Sequence, residues 1–496
     1  MADEKKSGGR SHATKLAAVV VACKAELFHC PQGEPYVTVD SRTMHLKTPE
    51  FKYWLAREFM KATRRMPSSN ALNEATTGII GNALFTGPEH AVYTRVAGFD
   101  DRVYVDLGSS VAIITAEGWH LTTHTSDVRF LRTKGFLPLP EPRRTDRRLP
   151  DIVEEILPVH GEMLMLVTAW LVAAARGRKP FPILDIVGEQ GSAKSSTCRS
   201  LRRMIDPNVA DSRVTPREMR DLMIAARNSY VISFDNLTHL DEWLINGLCC
   251  LATGAGAATR ELTTDTNEII ISAARPITLN GINDMLSRPD LADRALVVTL
   301  EPIAEEHRLT ESEVDARFEG RLPEILGALF DVVACALKYE PTTRPDRLPR
   351  MADFARTIAA ASAALGWQAD DFLAAYSANR QDAVETILDG NLVASAVRGF
   401  MQNVQEWRGT ASELLKTLTS DDRKENKYWP RSSRSLSGKL REVAPGLRSI
   451  GIEITFLDRT HEGRGIEIVN RLASTAIRQD EPGQPALQEE RRDLPF

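Results

Sequence analysis

The sequence has few cysteines. Only six of its 496 residues are cysteine, and none forms a C-x-x-C pair. A disulfide framework and a zinc-ribbon pattern are both excluded by that spacing, so the expectation is reduced thiols in a cytosolic protein. Strong charge is also lacking. The formal net charge of −5 carries no whole-chain signal for nucleic acid, so any basic surface must be local. Long apolar runs are absent. The longest, Met163 to Ala175, falls short of the roughly 20 residues of a membrane span and reads as a buried helix. The start, "MADEKKSGGRSHATK", is charged and has no apolar core directly behind it, unlike a secretory signal. These absences together point to a soluble cytoplasmic protein with no membrane partner.

At this length two to four domains are expected, and no internal repeats are visible. The composition divides the chain into seven stretches. Residues 1–24 read as a flexible arm, and 25–140 as a mixed α+β domain. In that domain "TPEFKYWLAREFMKATRR" has helical spacing, with Phe51, Trp54, Leu55 and Phe59 on one face. "RVYVDLGSSVAIITAEGWHL" reads as two strands about a Gly-Ser-Ser turn. The Pro- and Arg-rich stretch at 141–150 reads as a linker. In 151–302, "FPILDIV", "YVISFD", "PITLNG" and "ALVVTL" alternate with helical segments, the pattern of an α/β layered core. A helical region at 303–400, a winged-helix-like domain at 401–472 and a disordered tail at 473–496 complete the order.

The most informative stretch is "GEQGSAKSS", Gly188 to Ser196. It departs in one position from G-x-x-x-x-G-K-[ST], because Ala193 stands where the second glycine belongs. An apolar strand precedes it and a helix follows. Gly188 and Gly191 allow the turns that point N–H groups at an anion, and the helix N-terminus adds to that field. Gly188, Glu189, Gln190, Gly191, Ser192, Ala193, Lys194, Ser195 and Ser196 would thus hold ATP. Lys194 would lie on the β/γ-phosphates, and Ser195 on Mg²⁺. Ala193 is tolerable there if its φ is helical. The next strand ends in Asp235, placed to hold the metal through water. Asn236 follows, where a catalytic glutamate is common; an amide can orient water but is a poor base. Glu189 and Glu242 are candidate substitutes. Asn280 ends the third strand, within reach of the γ-phosphate. Arg288 and Arg294 precede the fourth, and Arg294 is preferred as the guanidinium offered to a neighbour's nucleotide.

The order of these elements resembles superfamily 3 helicases, most closely the phage and plasmid ATPases related to the poxvirus-type primase-helicase. The resemblance covers 180–300 and rests on "GEQGSAKSS", "FDN", "LATGAGAATRELTTD", "RPITLNGIND" and "RPDLADRAL". It implies a P-loop core of AAA+ type, a ring that is often hexameric, and ATP-driven movement on single-stranded DNA. It also implies a channel-facing hairpin fed by the segment that contains Arg260 and Leu262. Asp101 and Asp106 are the upstream carboxylates nearest to a primase cluster. They read better as turn residues, so a primase would be a separate protein.

From Arg423 to Arg448 there are eight Lys/Arg and two acidic residues. Ser432 or Ser433 would cap a helix carrying Arg434, Lys439 and Arg441 toward DNA, with Tyr428 and Trp429 nearby to stack or pack. The leading expectation is an ATP-dependent DNA helicase-type motor of phage or mobile-element replication. The alternatives are an ATP-switched DNA-binding initiator and a nucleotide-gated regulator with little unwinding activity.

Overall fold

A computed structural model describes residues 11–123, 125, 127–255, 257–260, 268–271, 273–281, 288–460 and 463–471. The chain divides into two compact units, one of residues 1–285 and 294–377, the other of 286–293 and 378–496.

The first unit begins with a helix, His12–Ala22, where a loose arm was expected. Ser11 Oγ caps it by accepting from the Thr14 N–H, and Leu16, Val19 and Val20 are buried. Their i, i+3, i+4 spacing makes an apolar face that packs into a small core. Phe51, Leu55 and Phe59 of helix Pro49–Thr63 join that core, as do Ala75, Ile79 and Ala83 of helix Ser69–Phe85. Trp54 is partly buried against the same cluster. Strands Glu26–His29, Pro35–Val39 and Arg42–His45 form an antiparallel sheet beside these helices.

The run expected to give two strands gives three, Arg102–Asp106, Val111–Thr115 and Gly118–Thr122. With Val96–Gly98 they form a four-stranded antiparallel sheet. The second half of the run folds back at Ala116 and Glu117, so one apolar stretch supplies two strands.

Residues 141–150 do not act as a free linker. Arg143 N–H donates to Pro323 O at 2.7 Å, Thr145 Oγ1 donates to Glu324 Oε1 at 2.9 Å, and helix Leu149–Ile156 starts inside the stretch. Fixed proline torsions favour an extended strap that packs along a helix. The expected domains at 25–140 and 151–302 therefore lie within one unit, which runs on to Ser377 rather than ending at 302.

Four apolar runs become strands Ile183–Gly188, Ile232–Leu237, Ile277–Gly281 and Ala295–Leu300. All pairings between them are parallel, in the order 232–237, 277–281, 183–188, 295–300. Continuous burial of these strands matches a parallel sheet covered on its faces. Helix Gly161–Arg176, from the longest apolar run, is buried almost throughout. Among the described residues no single helix is long and apolar enough to cross a membrane. Strands Ala257–Arg260 and Glu268–Ile271 make a separate antiparallel pair, whose turn lies outside the described residues.

The second unit holds the short helix Pro289–Ala292 and the chain from Ala378 onward. The division falls inside helix Ala369–Gly390, not at residue 400. Helix Leu392–Met401, strand Glu406–Thr410 and helices Ala411–Leu418, Asp421–Glu425 and Ser433–Ser449 follow in turn. A hairpin of Ile452–Thr460 and Gly463–Asn470 closes the unit, and Glu406–Thr410 pairs with its second strand. That third strand, in the mixed sequence "EWRGT", was not anticipated. The expected tail at 473–496 lies outside the described residues.

Candidate functional site

The site is built at the carboxyl ends of the parallel strands. In open α/β sheets that edge holds ligands where the strand order switches. Strand Ile183–Gly188 delivers the loop. A Cβ on Gly188 would lie 2.5 Å from Leu300 O and 2.8 Å from Ser192 Oγ, so no side chain fits there. Gly191 has φ +88°, a conformation that favours glycine. Ser192 is buried, and its Oγ donates to Glu189 O at 2.9 Å, which closes the turn.

Ala193 has φ 60° and ψ 27°, so the expectation of a helical φ is corrected. The backbone keeps the left-handed turn that a glycine would serve. The methyl group accepts a strain of roughly 1 kcal/mol for it. Helix Lys194–Ile205 starts directly afterwards. Lys194 Nζ donates to Gly188 O and Glu189 O, both at 2.7 Å, so its charge rests on the loop's own carbonyls. Ser195 Oγ donates to Asp235 Oδ1 at 2.8 Å. Ion pairs of Arg199 with Glu311, and of Arg203 with Asp315 and Glu319, tie this helix to the long helix Glu311–Tyr339.

The ladder between strand Ile232–Leu237 and its neighbour slips between Phe234 and Leu237. Asp235 and Asn236 fall in the slip, as residues beside active sites often do. Asn236 has φ 55°, and its N–H donates to Asn280 Oδ1 at 2.8 Å. Asn280 is 2% exposed, and among the described residues its Nδ2 meets no oxygen acceptor, with the Cys198 thiol as a weak neighbour. Burial pushes that thiol up to about 12.

Lys194, Ser195, Asp235, Asn236 and Asn280 are thus brought together. Arg294 is not. Its carbonyl accepts from Ile183 N–H at 2.8 Å, at the amino end of the sheet. Five residue steps separate the Ile183–Ala295 and Gly188–Leu300 pairs, so about 17 Å of strand lies between Arg294 and the loop. Arg288 forms a two-point ion pair with Asp290, and Asp293 accepts from Arg380 at 2.8 Å. Glu189 and Glu242 are both exposed. Arg260 pairs in register with Glu268 on the separate hairpin.

In the second unit Ser432 caps helix Ser433–Ser449. Arg434 is exposed on its first turn. Lys439 Nζ donates to Tyr428 O at 2.6 Å, and the Arg441 guanidinium lies 4.6 Å from the Phe456 ring centre. Trp429 is buried and donates to Thr419 Oγ1 at 3.0 Å, while Tyr428 is exposed.

Sequence reasoning missed Asp206. It follows the loop helix and accepts from Arg95 Nε at 3.1 Å, Tyr230 N–H at 2.8 Å and Val231 N–H at 3.1 Å. One carboxylate so links the end of the loop helix to the entry of the Asp235 strand. The Asp-Pro pair at the end of the basic helix after the loop was its signal in the sequence.

The residues fit a magnesium-bound nucleoside triphosphate. Among the described residues Lys194 donates only to loop carbonyls and the buried amide nitrogen of Asn280 has no oxygen partner, and the hydroxyl of Ser195 faces a carboxylate.

Comparison with known proteins adds the family. Residues 153–386 match the model of AICE RepA, described as the actinomycete integrative conjugative element replication protein. Residues 393–480 match the model of the AICE RepA C-terminal domain. No curated protein matches the chain. Among solved structures, the A form apo structure of the NrS-1 C-terminal region aligns at 11% identity and TM-score 0.41, covering 92% of this chain and 99% of that one. An apo structure of the same region, residues 305–718, aligns at 10% identity and TM-score 0.37, covering 93% and 100%. At such TM-scores the likeness decides nothing about this chain. The two family models follow one another along the chain, which is therefore similar over 153–386 and 393–480 to a replication protein of actinomycete integrative conjugative elements.

Proposed function

We propose that the chain is an ATP-hydrolysing motor that moves on DNA during replication of the mobile element. The observation that carries this reading is the Ser195–Asp235 hydrogen bond, with Asn280 on the strand between the one that leads into the loop and the one that carries Asp235. That arrangement is the one expected of an AAA+-like P-loop core of superfamily 3 type. Bound Mg·ATP would supply the γ-phosphoryl group and the charge that neutralises it. Gly188 to Ser196 would cradle it, and Lys194 would exchange its two carbonyl partners for phosphate oxygens. Ser195 and Asp235 would hold the metal, directly and through water. Asn280 Nδ2 would sense the γ-phosphate, and Asn236 would orient the attacking water.

Arg294 is too far along the sheet to serve the loop of its own chain. Its expected role therefore requires a neighbouring copy, and a ring, hexameric in the resemblance, follows from that requirement. The second unit has the element order of a winged helix, with Arg434 exposed for a phosphate of DNA. Primer synthesis would fall to a separate primase.

A second reading, an ATP-switched initiator, is favoured by Asn236. An amide where a carboxylate base is common suits slow turnover and nucleotide-driven assembly. ATP turnover with and without single-stranded DNA, with Lys194→Ala as control, separates the two. DNA stimulation that the variant abolishes supports the motor. Slow turnover indifferent to DNA, with oligomers that form only with ATP, supports the switch.

A further inference from the structure

We propose that Arg308 is a phosphate-binding residue of the nucleotide site in its own chain, an assignment that rests on the ATP reading above. Arg308 lies outside the loop motif, in "PIAEEHRLTESE", between the last core strand and the long helix. A strap holds it there. Ile303 N–H donates to Gly191 O at 3.2 Å, which fastens the segment to the loop. Beyond it, Thr310 and Glu313 form a reciprocal capping box that fixes the start of helix Glu311–Tyr339. Arg308 sits between these two anchors.

Its guanidinium is turned toward the loop. A methyl group built on Gly191 would lie 3.6 Å from Arg308 Nη2. Arg308 Nε donates to Ile303 O at 3.2 Å, and Nη1 stands 3.7 Å from a Glu305 carboxylate oxygen. Both charged side chains are more than half exposed, and so long an ion pair between exposed groups contributes little. A phosphate in the cradle offers a better partner. Nη2 faces the loop where Gly191 has no side chain to intervene, and a guanidinium matches phosphate oxygens in a planar, two-point geometry. The site then has two cations from one chain. Lys194 comes from within the loop, and Arg308 from the strap laid against it.

Equilibrium binding of ATP and of ADP to the full chain tests this, with Arg308→Ala, Arg308→Lys, Glu305→Gln and Lys194→Ala compared. Arg308→Ala is expected to weaken both nucleotides about tenfold, and Arg308→Lys to restore most of the loss. Glu305→Gln should leave affinity unchanged or raise it. In turnover the alanine variant should raise KM with kcat within about twofold. Normal affinity in Arg308→Ala beside lost affinity in Lys194→Ala would overturn the assignment and leave the nucleotide site standing. Equal loss in the alanine and lysine variants, with lower thermal stability of the nucleotide-free protein, would make Arg308 a packing residue and overturn it too. If Lys194→Ala binds normally, the site and the assignment fall together.

Discussion

Ser195 Oγ and Asp235 Oδ1 are joined by a 2.8 Å hydrogen bond, although the strand that leads into the Ser195 loop and the strand that carries Asp235 are not neighbours in the sheet. In the proposed site Ser195 would hold a magnesium ion directly and Asp235 would hold it through water. Asp235→Asn keeps the size of the side chain and removes its charge. We expect ATP turnover to fall about 10–100-fold, as for the loss of an outer-shell metal partner. Affinity for ATP in magnesium-free buffer should hardly change. A magnesium titration of both proteins measures this, and an unaltered magnesium requirement in the variant rules out Asp235 as the metal's partner.

Asn236 sits at φ 55°, in the left-handed region that asparagine tolerates better than most residues. Two roles are therefore mixed at one position, a backbone turn and an amide beside the site. Asn236→Gly separates them, since glycine keeps the turn and deletes the amide. Turnover is expected to drop while the unfolding free energy from chemical denaturation stays within ~0.5 kcal/mol of the parent. Asn236→Ala should lose both turnover and about 1 kcal/mol of stability. Full turnover in the glycine variant would remove the amide from the reaction.

The core of the site was legible because its parts are local. An apolar run, a small-residue loop and a helix start are contiguous in sequence, so "ILDIVGEQGSAKSS" announces both its fold and its position. Asp235 and Asn280 were legible for the same reason, as polar residues that end apolar runs. The φ of Ala193 was not. Its neighbours in the sequence allow either sign, and the folded loop takes the positive one. The unity of the first 285 residues was also hidden, because it depends on pairs such as Arg95 and Asp206, 111 residues apart. Helix His12–Ala22 was hidden by the charged residues before it, which drew attention from the Leu16, Val19, Val20 face.

The Arg95–Asp206 pair should be a main support of the first unit. Arg95 is fully buried and also donates to the carbonyls of Asp106, Leu137 and Pro207. Burial pulls its pKa down, and the Asp206 charge opposes that fall. Asp206→Ala would strand the guanidinium and two backbone N–H groups. The cost should be about 3–5 kcal/mol, seen as an earlier unfolding transition. ATP binding should weaken as well, since the loop helix loses its tie to the Asp235 strand. A variant as stable as the parent would show that the carbonyls alone hold Arg95.

Glu34 gives the first unit a pH dependence of known sign. Its carboxylate accepts from His45 Nε2 and Lys47 Nζ, both at 3.0 Å, and from Arg227 at 3.3 Å. The His45 hydrogen bond, against the opposing effect of burial and with help from Lys47, lowers its pKa from 4.5 to about 2. A depressed carboxylate adds stability that is complete above the unfolded value and fades as pH falls from about 4.5 toward 2. On the order of 2 kcal/mol is involved once the partly exposed carboxylate is discounted for solvent screening. Glu34→Gln should flatten the loss of stability across that window and lower stability at pH 7. Parallel acid-denaturation curves for the two proteins would contradict the assignment.

In the proposed DNA-binding reading, Arg434 of helix Ser433–Ser449 would meet a phosphate of DNA. It is exposed on the first turn, whereas Lys439 is held by Tyr428 O and Arg441 lies over Phe456. A contact to phosphate contributes to affinity through counterion release and is indifferent to sequence. Arg434→Ala is expected to weaken binding to all DNA sequences alike and to reduce the slope of log affinity against log salt by about 1. Arg441→Ala should change that slope less and cost stability instead, because it uncovers the Phe456 ring. Fluorescence anisotropy over a salt series measures both slopes. If Arg441→Ala lowers the slope and Arg434→Ala does not, the DNA-facing side of the helix is the one nearer the hairpin.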